Sequence, residues 1–312
     1  MKFSPLFWPV ELKGETISVL DETELPQRLV YLKIKNYREA CRAIKSMKTR
    51  AVGQVILVFY TFLLHVRRMK DEKKLLPTLI LIAENLNATR PTLPFKFLTD
   101  MVLGWGSEPF RVEKNILGFL ELLKTKRIEQ AQEAGALFED GDVILTHCNV
   151  SGLLPLIGEF CRKQKKRLSF FATETRPYFQ GSRLTAWELN QAGFNVTIIP
   201  DSAVARILAE GRVDKVITGA DQLALNGDIA NKIGTYQIAL LAGNFNIPFY
   251  VLAPPPSNAK TGKNIAIEIR PDKELLTIAG RRIAPKGVKG YYPAFDITPA
   301  ALITKHIYLR VS

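Results

Sequence analysis

The sequence predicts an α/β doubly wound domain over residues 128–312, preceded by a mostly helical domain over residues 1–127 that carries a small β element. Three observations support this. Five short apolar runs rich in Val, Ile, Phe and Thr appear in the second half: "DVILTHC", "RLSFFATE", "NVTIIPD", "KVITGAD" and "FYVLAP". Helical stretches separate them at intervals of roughly 20 to 35 residues, the β-α-β rhythm of a parallel sheet. Before Asp140 the texture differs, because apolar residues there recur at helical spacing.

The first half opens with an extended segment, "TISVLDETELP", followed by "YLKIKN". From Tyr37 the pattern turns helical, and Tyr37, Ala40, Cys41, Ile44 and Met47 fall on one stripe. The most apolar segment, Val55–Val66, is shorter than the roughly 18 residues of a membrane span, so it reads as a buried helix. Further helices are predicted around "LLPTLILIAENL" and from Pro94 to about Ala134.

With 312 residues and 47% hydrophobic content, the chain can bury a large core in about two domains. Three cysteines, Cys41, Cys148 and Cys161, form no CxxC pair, which disfavours a disulfide framework or structural zinc and suits a reducing compartment. The N-terminus lacks the apolar core of a signal peptide, so a cytoplasmic, membrane-free protein is expected. The net charge of +13 gathers in runs at the ends of helical patterns, "RRMKDEKK" and "RKQKKR", where the helix dipole favours cations. No nucleic-acid motif accompanies them, and none is expected as a partner; the positive field could instead draw an anionic metabolite.

Ligands bind doubly wound sheets at the carboxyl ends of the strands. Polar clusters stand there: "HCN", "TETRPYFQG" and "GADQLALNGD". Cys148 precedes an apolar helix with Ser151 as its expected N-cap. A thiol in that place either packs as a small apolar group or is activated by the dipole to act as a base. Asp221 either caps a following helix or, among apolar neighbours such as Leu223 and Leu225, holds a proton for transfer. Asn226-Gly227 signals a turn. Asn231 and Lys232 are expected just ahead of a helix, where a lysine calls for a nearby anion. Arg176, Gln180 and Arg183 lie on the same predicted rim. Arg50 and Arg90, in loops of the helical half, are either surface residues or forks for a phosphate. His147 should face away from Cys148 along the strand, and His65 should be structural. No metal-ligand, dinucleotide or P-loop spacing appears, so chemistry without a metal or cofactor is expected.

Together "LDETELP", "THCN", "ETRPYFQGSRLTAWEL", "GADQLALNGDIANKIGTY", "IAIEIRP" and "YYPAFDITPAALI" resemble the methylthioribose-1-phosphate isomerase family, in that family's order and over nearly the whole chain. The wider superfamily includes ribose-1,5-bisphosphate isomerase and regulatory subunits of a translation-initiation exchange factor. The resemblance implies a helical N-terminal domain, a Rossmann-like C-terminal domain, a homodimer, and cofactor-free aldose–ketose isomerisation of a phosphorylated pentose in methionine salvage. It puts Cys148 and Asp221 at the catalytic positions. Gln180, Asn231, Lys232, Arg90 and the segment Arg50, Ala51 and Val52 fall at substrate-binding positions. Four departures stand out: Ala51 follows Arg50 where the family has glycine, Gln222 replaces Arg, Tyr292 replaces Asn, and "PPPSNAKTG" differs from the usual loop. They leave room for a sibling isomerase of 5-deoxyribose 1-phosphate or ribose 1,5-bisphosphate, or for a non-catalytic regulatory protein of the same fold.

Overall fold

The computed structural model describes residues 3–90 and 95–311. Two compact units divide the chain, one up to Arg127 and one over Ile128–Arg310.

In the N-terminal unit β1 (Val10–Lys13), β2 (Thr16–Leu20) and β3 (Tyr31–Ile34) form an antiparallel sheet in that order. Ile17 and Val19 alternate into the core, as period-two spacing demands. Helix α1 (Tyr37–Lys45) starts at Asn36, whose Oδ1 accepts from the Glu39 N–H at 3.0 Å. Ala40 and Ile44 of the expected stripe are buried, whereas Met47 lies beyond the helix end. Helix α2 (Val52–Arg68) packs against α1, β1 and β2, and also against α3 (Leu75–Asn87) and α4 (Phe95–Gly104). A helix enclosed on so many sides must be apolar around its circumference, which explains the texture of Val55–Val66. Pro94, the expected start of the next helix, lies outside the described residues. Helix α5 (Pro109–Gly135) follows, and the division between the units falls inside it. The first basic run closes α2: Arg67 pairs with Glu113 at 2.8 Å, and Arg68 donates to the Lys35 carbonyl at 2.6 Å.

The C-terminal unit is built on six parallel strands in the order β16-β10-β7-β4-β5-β6. The chain enters at β4 (Val143–Thr146) and moves outward through α6 (Leu153–Lys163), β5 (Ser169–Thr173), α7 (Ala186–Gln191) and β6 (Asn195–Ile199). It then crosses back through α8 (Val204–Ala209) to β7 (Lys215–Gly219) on the other side of β4. An antiparallel hairpin of β8 (Gln222–Leu223) and β9 (Ile229–Lys232) follows, then α9 (Thr235–Asn244) and β10 (Phe249–Ala253). Right-handed crossovers place α6 and α7 on one face and α8 and α9 on the other, in keeping with the contacts inside each pair.

Beyond β10 come β11 (Ile269–Arg270), α10 (Asp272–Leu276), and the small hairpin of β12 (Thr277–Ile278) and β13 (Arg281–Arg282). Next, β14 (Tyr292–Pro293) pairs with β11, and β15 (Phe295–Thr298) pairs with β9. Strand β16 (Lys305–Tyr308) completes the main sheet. All five predicted strands are present. The sixth, β16, is an edge strand with only Ile307 fully buried, too weak a pattern to read in advance.

Two local expectations are corrected. Ser151 does not take the N-cap position: Gly152 does, with φ 79°, and α6 begins at Leu153. No helix follows Asp221, since β8 does, so it cannot serve as a helix cap.

Candidate active site

The strand order reverses between β4 and β7, and the loop after each of these neighbours carries one of the two predicted catalytic residues. Cys148 follows β4 and Asp221 follows β7. At such a switch point the two outgoing loops part in opposite directions and leave a crevice. A Cβ built on Gly219 would stand 3.0 Å from Val150 Cγ1, so the Cys148 loop folds closely over the end of β7.

Cys148 is half-buried and in the left-handed region, φ 64°. Both its backbone groups are held by threonines: its N–H donates to Thr175 Oγ1 at 3.0 Å, and its carbonyl accepts from Thr185 Oγ1 at 2.6 Å. Asn149 secures the next residue by donating to Thr185 Oγ1 and Glu188 Oε1. These anchors come from the segment after β5, which bends through a π-turn at Gly181–Thr185 before α7. Glycine is required there, since a methyl on Gly181 would meet the Thr173 carbonyl oxygen at 1.7 Å. Gln180, just before it, is buried, and its Oε1 has no hydrogen-bond partner among the described residues. A buried amide oxygen left open awaits a donor. Arg176 donates to the Leu275 carbonyl at 3.0 Å and lies over the Phe179 ring, which ties this rim to the end of α10.

Asp221 N–H donates to the Ala230 carbonyl at 2.9 Å, which places it beside Asn231 on the hairpin. The Asn226-Gly227 turn closes that hairpin, with Gly227 at φ 90°. Of the two apolar neighbours expected around Asp221, Leu223 is buried but Leu225 is 64% exposed at the turn.

Asn231 and Lys232 end β9 rather than opening α9, and both are buried. Asn231 Nδ2 donates to Thr235 Oγ1 at 2.8 Å. Lys232 Nζ donates to the Tyr292 hydroxyl at 3.1 Å and lies 5.4–5.8 Å from the ring centres of Tyr178, Tyr292 and Phe295. Aromatic faces attract an ammonium that burial has stripped of water. The anion expected at the start of α9 is the protein's own Asp296, which accepts from the Gly234 and Tyr236 N–H groups at 2.7 and 3.1 Å. Burial pushes its carboxyl up to about 6, against those two N–H groups and the Lys232 charge.

Sequence reading missed a second charged cluster beside this one. Arg270 holds Glu268 at 2.9 Å, Glu274 through Nε at 3.0 Å, and the Tyr178 hydroxyl at 2.9 Å. Burial and the Glu274 carboxylate raise the Tyr178 phenol to about 12. Tyr292 is raised as well, by burial first and then by Tyr178, Glu274 and Cys148, so its phenol stays protonated. The only advance signal for Tyr292 was its departure from the family pattern.

His147 is buried with both ring nitrogens engaged, Nδ1 with Thr173 Oγ1 at 2.6 Å and Nε2 with the Ile233 carbonyl at 2.9 Å. Burial pulls its pKa down to about 4, so it is a neutral structural ring. His65 is likewise held down by burial and bonds the Thr61 carbonyl.

The remaining predicted residues belong to the N-terminal unit. Arg50 is largely buried rather than a surface residue, and its N–H and Nε donate to the two Glu22 oxygens at 2.9 and 3.1 Å. Glu22 comes from the "LDETELP" motif and also accepts from Thr49 Oγ1 at 2.7 Å. Ala51 adopts φ 43°, a conformation that favours glycine, and Val52 starts α2. Arg90 is 8% exposed, again not a surface residue, and its Nη1 reaches Met47 Sδ at 3.5 Å. Among the described residues no cluster of three or more His, Cys, Asp or Glu side chains could hold a metal ion, and no helix is long and apolar enough to cross a membrane.

Residues 56–308 match the model of the Initiation factor 2 subunit family. Curated relatives include the methylthioribose-1-phosphate isomerase of Fervidobacterium nodosum, 35% identical, and that of Thermosipho melanesiensis, 37% identical. Each match covers 95% of this chain and 91% of the relative. Among solved structures, the 5-methylthioribose 1-phosphate isomerase of Pyrococcus horikoshii superposes with a TM-score of 0.84 at 30% identity, over 99% of this chain and 94% of that one. Subunit delta of the translation initiation factor eIF-2B from A. fulgidus superposes with a TM-score of 0.81 at 35% identity, over 97% and 94%.

Proposed function

From the premise that this chain belongs to the Initiation factor 2 subunit family, and within it stands with the methylthioribose-1-phosphate isomerases, we infer that it isomerises 5-methylthioribose 1-phosphate to 5-methylthioribulose 1-phosphate. The observation that carries the reading is the placement of Cys148 and Asp221 in the loops that follow the two neighbouring strands at the switch point, in a chain so similar to enzymes of that name. A regulatory subunit would have no need of a thiol and a carboxyl at that crevice.

The chemistry must open a ring whose anomeric carbon is blocked by phosphate. Asp221 gives a proton to the ring oxygen as the C1–O4 bond breaks. Cys148 takes the proton from C2, leaving an enol between C1 and C2; Cys148 then returns that proton to C1 while the C2 hydroxyl proton passes to the Asp221 carboxylate, which yields the ketose and restores both groups. C1 is reduced and C2 oxidised within one molecule, so no external electron carrier is needed. A hydride passing from C2 to C1 gives the same balance. Gln180, Asn231 and Lys232 hold the sugar phosphate. For the N-terminal unit, the family resemblance assigns Arg50, Ala51, Val52 and Arg90 to substrate binding.

Supplying purified protein with 5-methylthioribose 1-phosphate, 5-deoxyribose 1-phosphate and ribose 1,5-bisphosphate, and following the ketose carbonyl by ¹³C NMR, tests this. The first substrate should show the highest kcat/KM, and Cys148→Ser and Asp221→Asn should each lower kcat by about 10²–10⁴-fold. A folded protein that converts none of the three would instead favour a regulatory role. The expected homodimer rests on the family resemblance. Sedimentation of the pure chain as a monomer would remove that part of the reading.

A further inference from the structure

Hydrogen-bond direction around His147 is fixed by elimination. The Ile233 carbonyl can only accept, so Nε2 carries the ring proton and donates to it. In the neutral ring Nδ1 then has a lone pair, and it accepts from the Thr173 hydroxyl. With its own proton spent, Thr173 Oγ1 can only receive from Thr175 Oγ1, 3.2 Å away; the Thr175 proton is shared with the Thr173 carbonyl at 3.3 Å. Thr175 Oγ1 in turn accepts the Cys148 N–H. One continuous chain therefore joins the Cys148 backbone to the residue after Lys232, all of it within the C-terminal unit.

The ends of the chain explain its need. Cys148 has φ 64° and Thr175 has φ 63°, and a non-glycine residue holds a left-handed conformation only where its surroundings impose it. Gly234, which follows Ile233, has φ 105°, and a Cβ there would meet the His147 ring at 3.2 Å, so the ring and the turn into α9 are fitted to each other. We propose that His147, Thr173 and Thr175 are positioning residues for the isomerisation: they hold the Cys148 peptide in its left-handed conformation and set the thiol in register with Lys232. The proposal rests on the functional reading given above. It adds three residues that touch no substrate and act through Cys148.

The test compares Thr175→Val, which keeps the shape but removes the acceptor, with Thr175→Ser, which restores it. Thr175→Val should lower kcat about tenfold or more with KM within about twofold, because misaiming a reacting group affects turnover more than binding. Thr175→Ser should recover most of the loss. In parallel, the alkylation rate of Cys148 by iodoacetamide, read by peptide mass spectrometry, should change in the valine variant and return in the serine variant. That second readout needs no isomerase activity, so a chain inactive on every sugar phosphate would sink the functional reading while leaving the positioning claim decidable. If the valine variant does not fold, Thr173→Val and Thr173→Ser provide the same comparison one link further away. Unchanged kcat and unchanged alkylation in a folded valine variant would overturn the proposal. So would a serine variant as impaired as the valine one.

Discussion

At the scale of single residues, the site depends on groups whose ordinary preferences are overridden. Lys232 is buried as a cation, and what makes that tolerable includes a phenol oxygen and three ring faces. Burying an ammonium is costly unless it is compensated, and hydrogen bonds to charged groups contribute about 1.5–3 kcal/mol. Tyr292→Phe removes the oxygen but keeps the ring. It should raise KM for the sugar phosphate by about tenfold with a smaller change in kcat, since Lys232 is read as a binding rather than a reacting group. A steady-state comparison decides this, and an unchanged KM would mean that the phenol does not orient the ammonium. Residue type and place put Cys148, Asp221, Gln180, Asn231 and Lys232 in the strand-end loops with their roles open, and the family resemblance assigned those roles. Neither pointed to Tyr178, Thr175 or Arg270, because a Tyr, Thr or Arg on a rim looks the same whether or not it faces another side chain.

Among the elements, what was legible follows from periodicity. The five runs of Val, Ile and Phe became β4 to β7 and β10, and the most apolar segment became α2, because burial on several sides writes itself into composition. The hairpin of β8 and β9 was not foreseen as strands, although its Asn226-Gly227 turn was. β8 has only two residues, and its pairing is supplied by β9, which in turn is held by β15 from far along the chain. This rearrangement moves Lys232 from the mouth of a helix to the end of a strand and gives the helix mouth to Asp296. A short strand has too little local signal of its own, so its partner decides it.

Across the whole molecule, a buried group and a half-buried one titrate in the same window with opposite effects. His147 is pulled down to about 4 from an ordinary 6.5, so between those values the unfolded chain binds a proton that the fold does not, and stability falls as pH falls. Asp296 is pushed up to about 6 from an ordinary 3.8, so the fold binds its proton first, and this group adds stability as pH falls through the same range. Their slopes offset one another. Asp296→Asn removes the second and leaves the first, so its Tm should drop more steeply than that of the unaltered protein between pH 6.5 and 4.5. Thermal melts across that range check it, and parallel slopes would show that Asp296 does not titrate there.

The sequence by itself determined that the second half is a parallel sheet, that polar loops crowd its carboxyl ends, and that a thiol and a carboxyl stand in two of them. Those properties are written in spacing and side-chain chemistry, which a linear chain carries openly. The tertiary structure alone decided that these two loops leave neighbouring strands at the point of reversal, that threonines clamp the Cys148 peptide, and that aromatic rings close around Lys232. Each of these joins residues tens of positions apart. Such contacts exist only once the strand order is set, because burial of the sheet's two faces, rather than any local preference, brings them together.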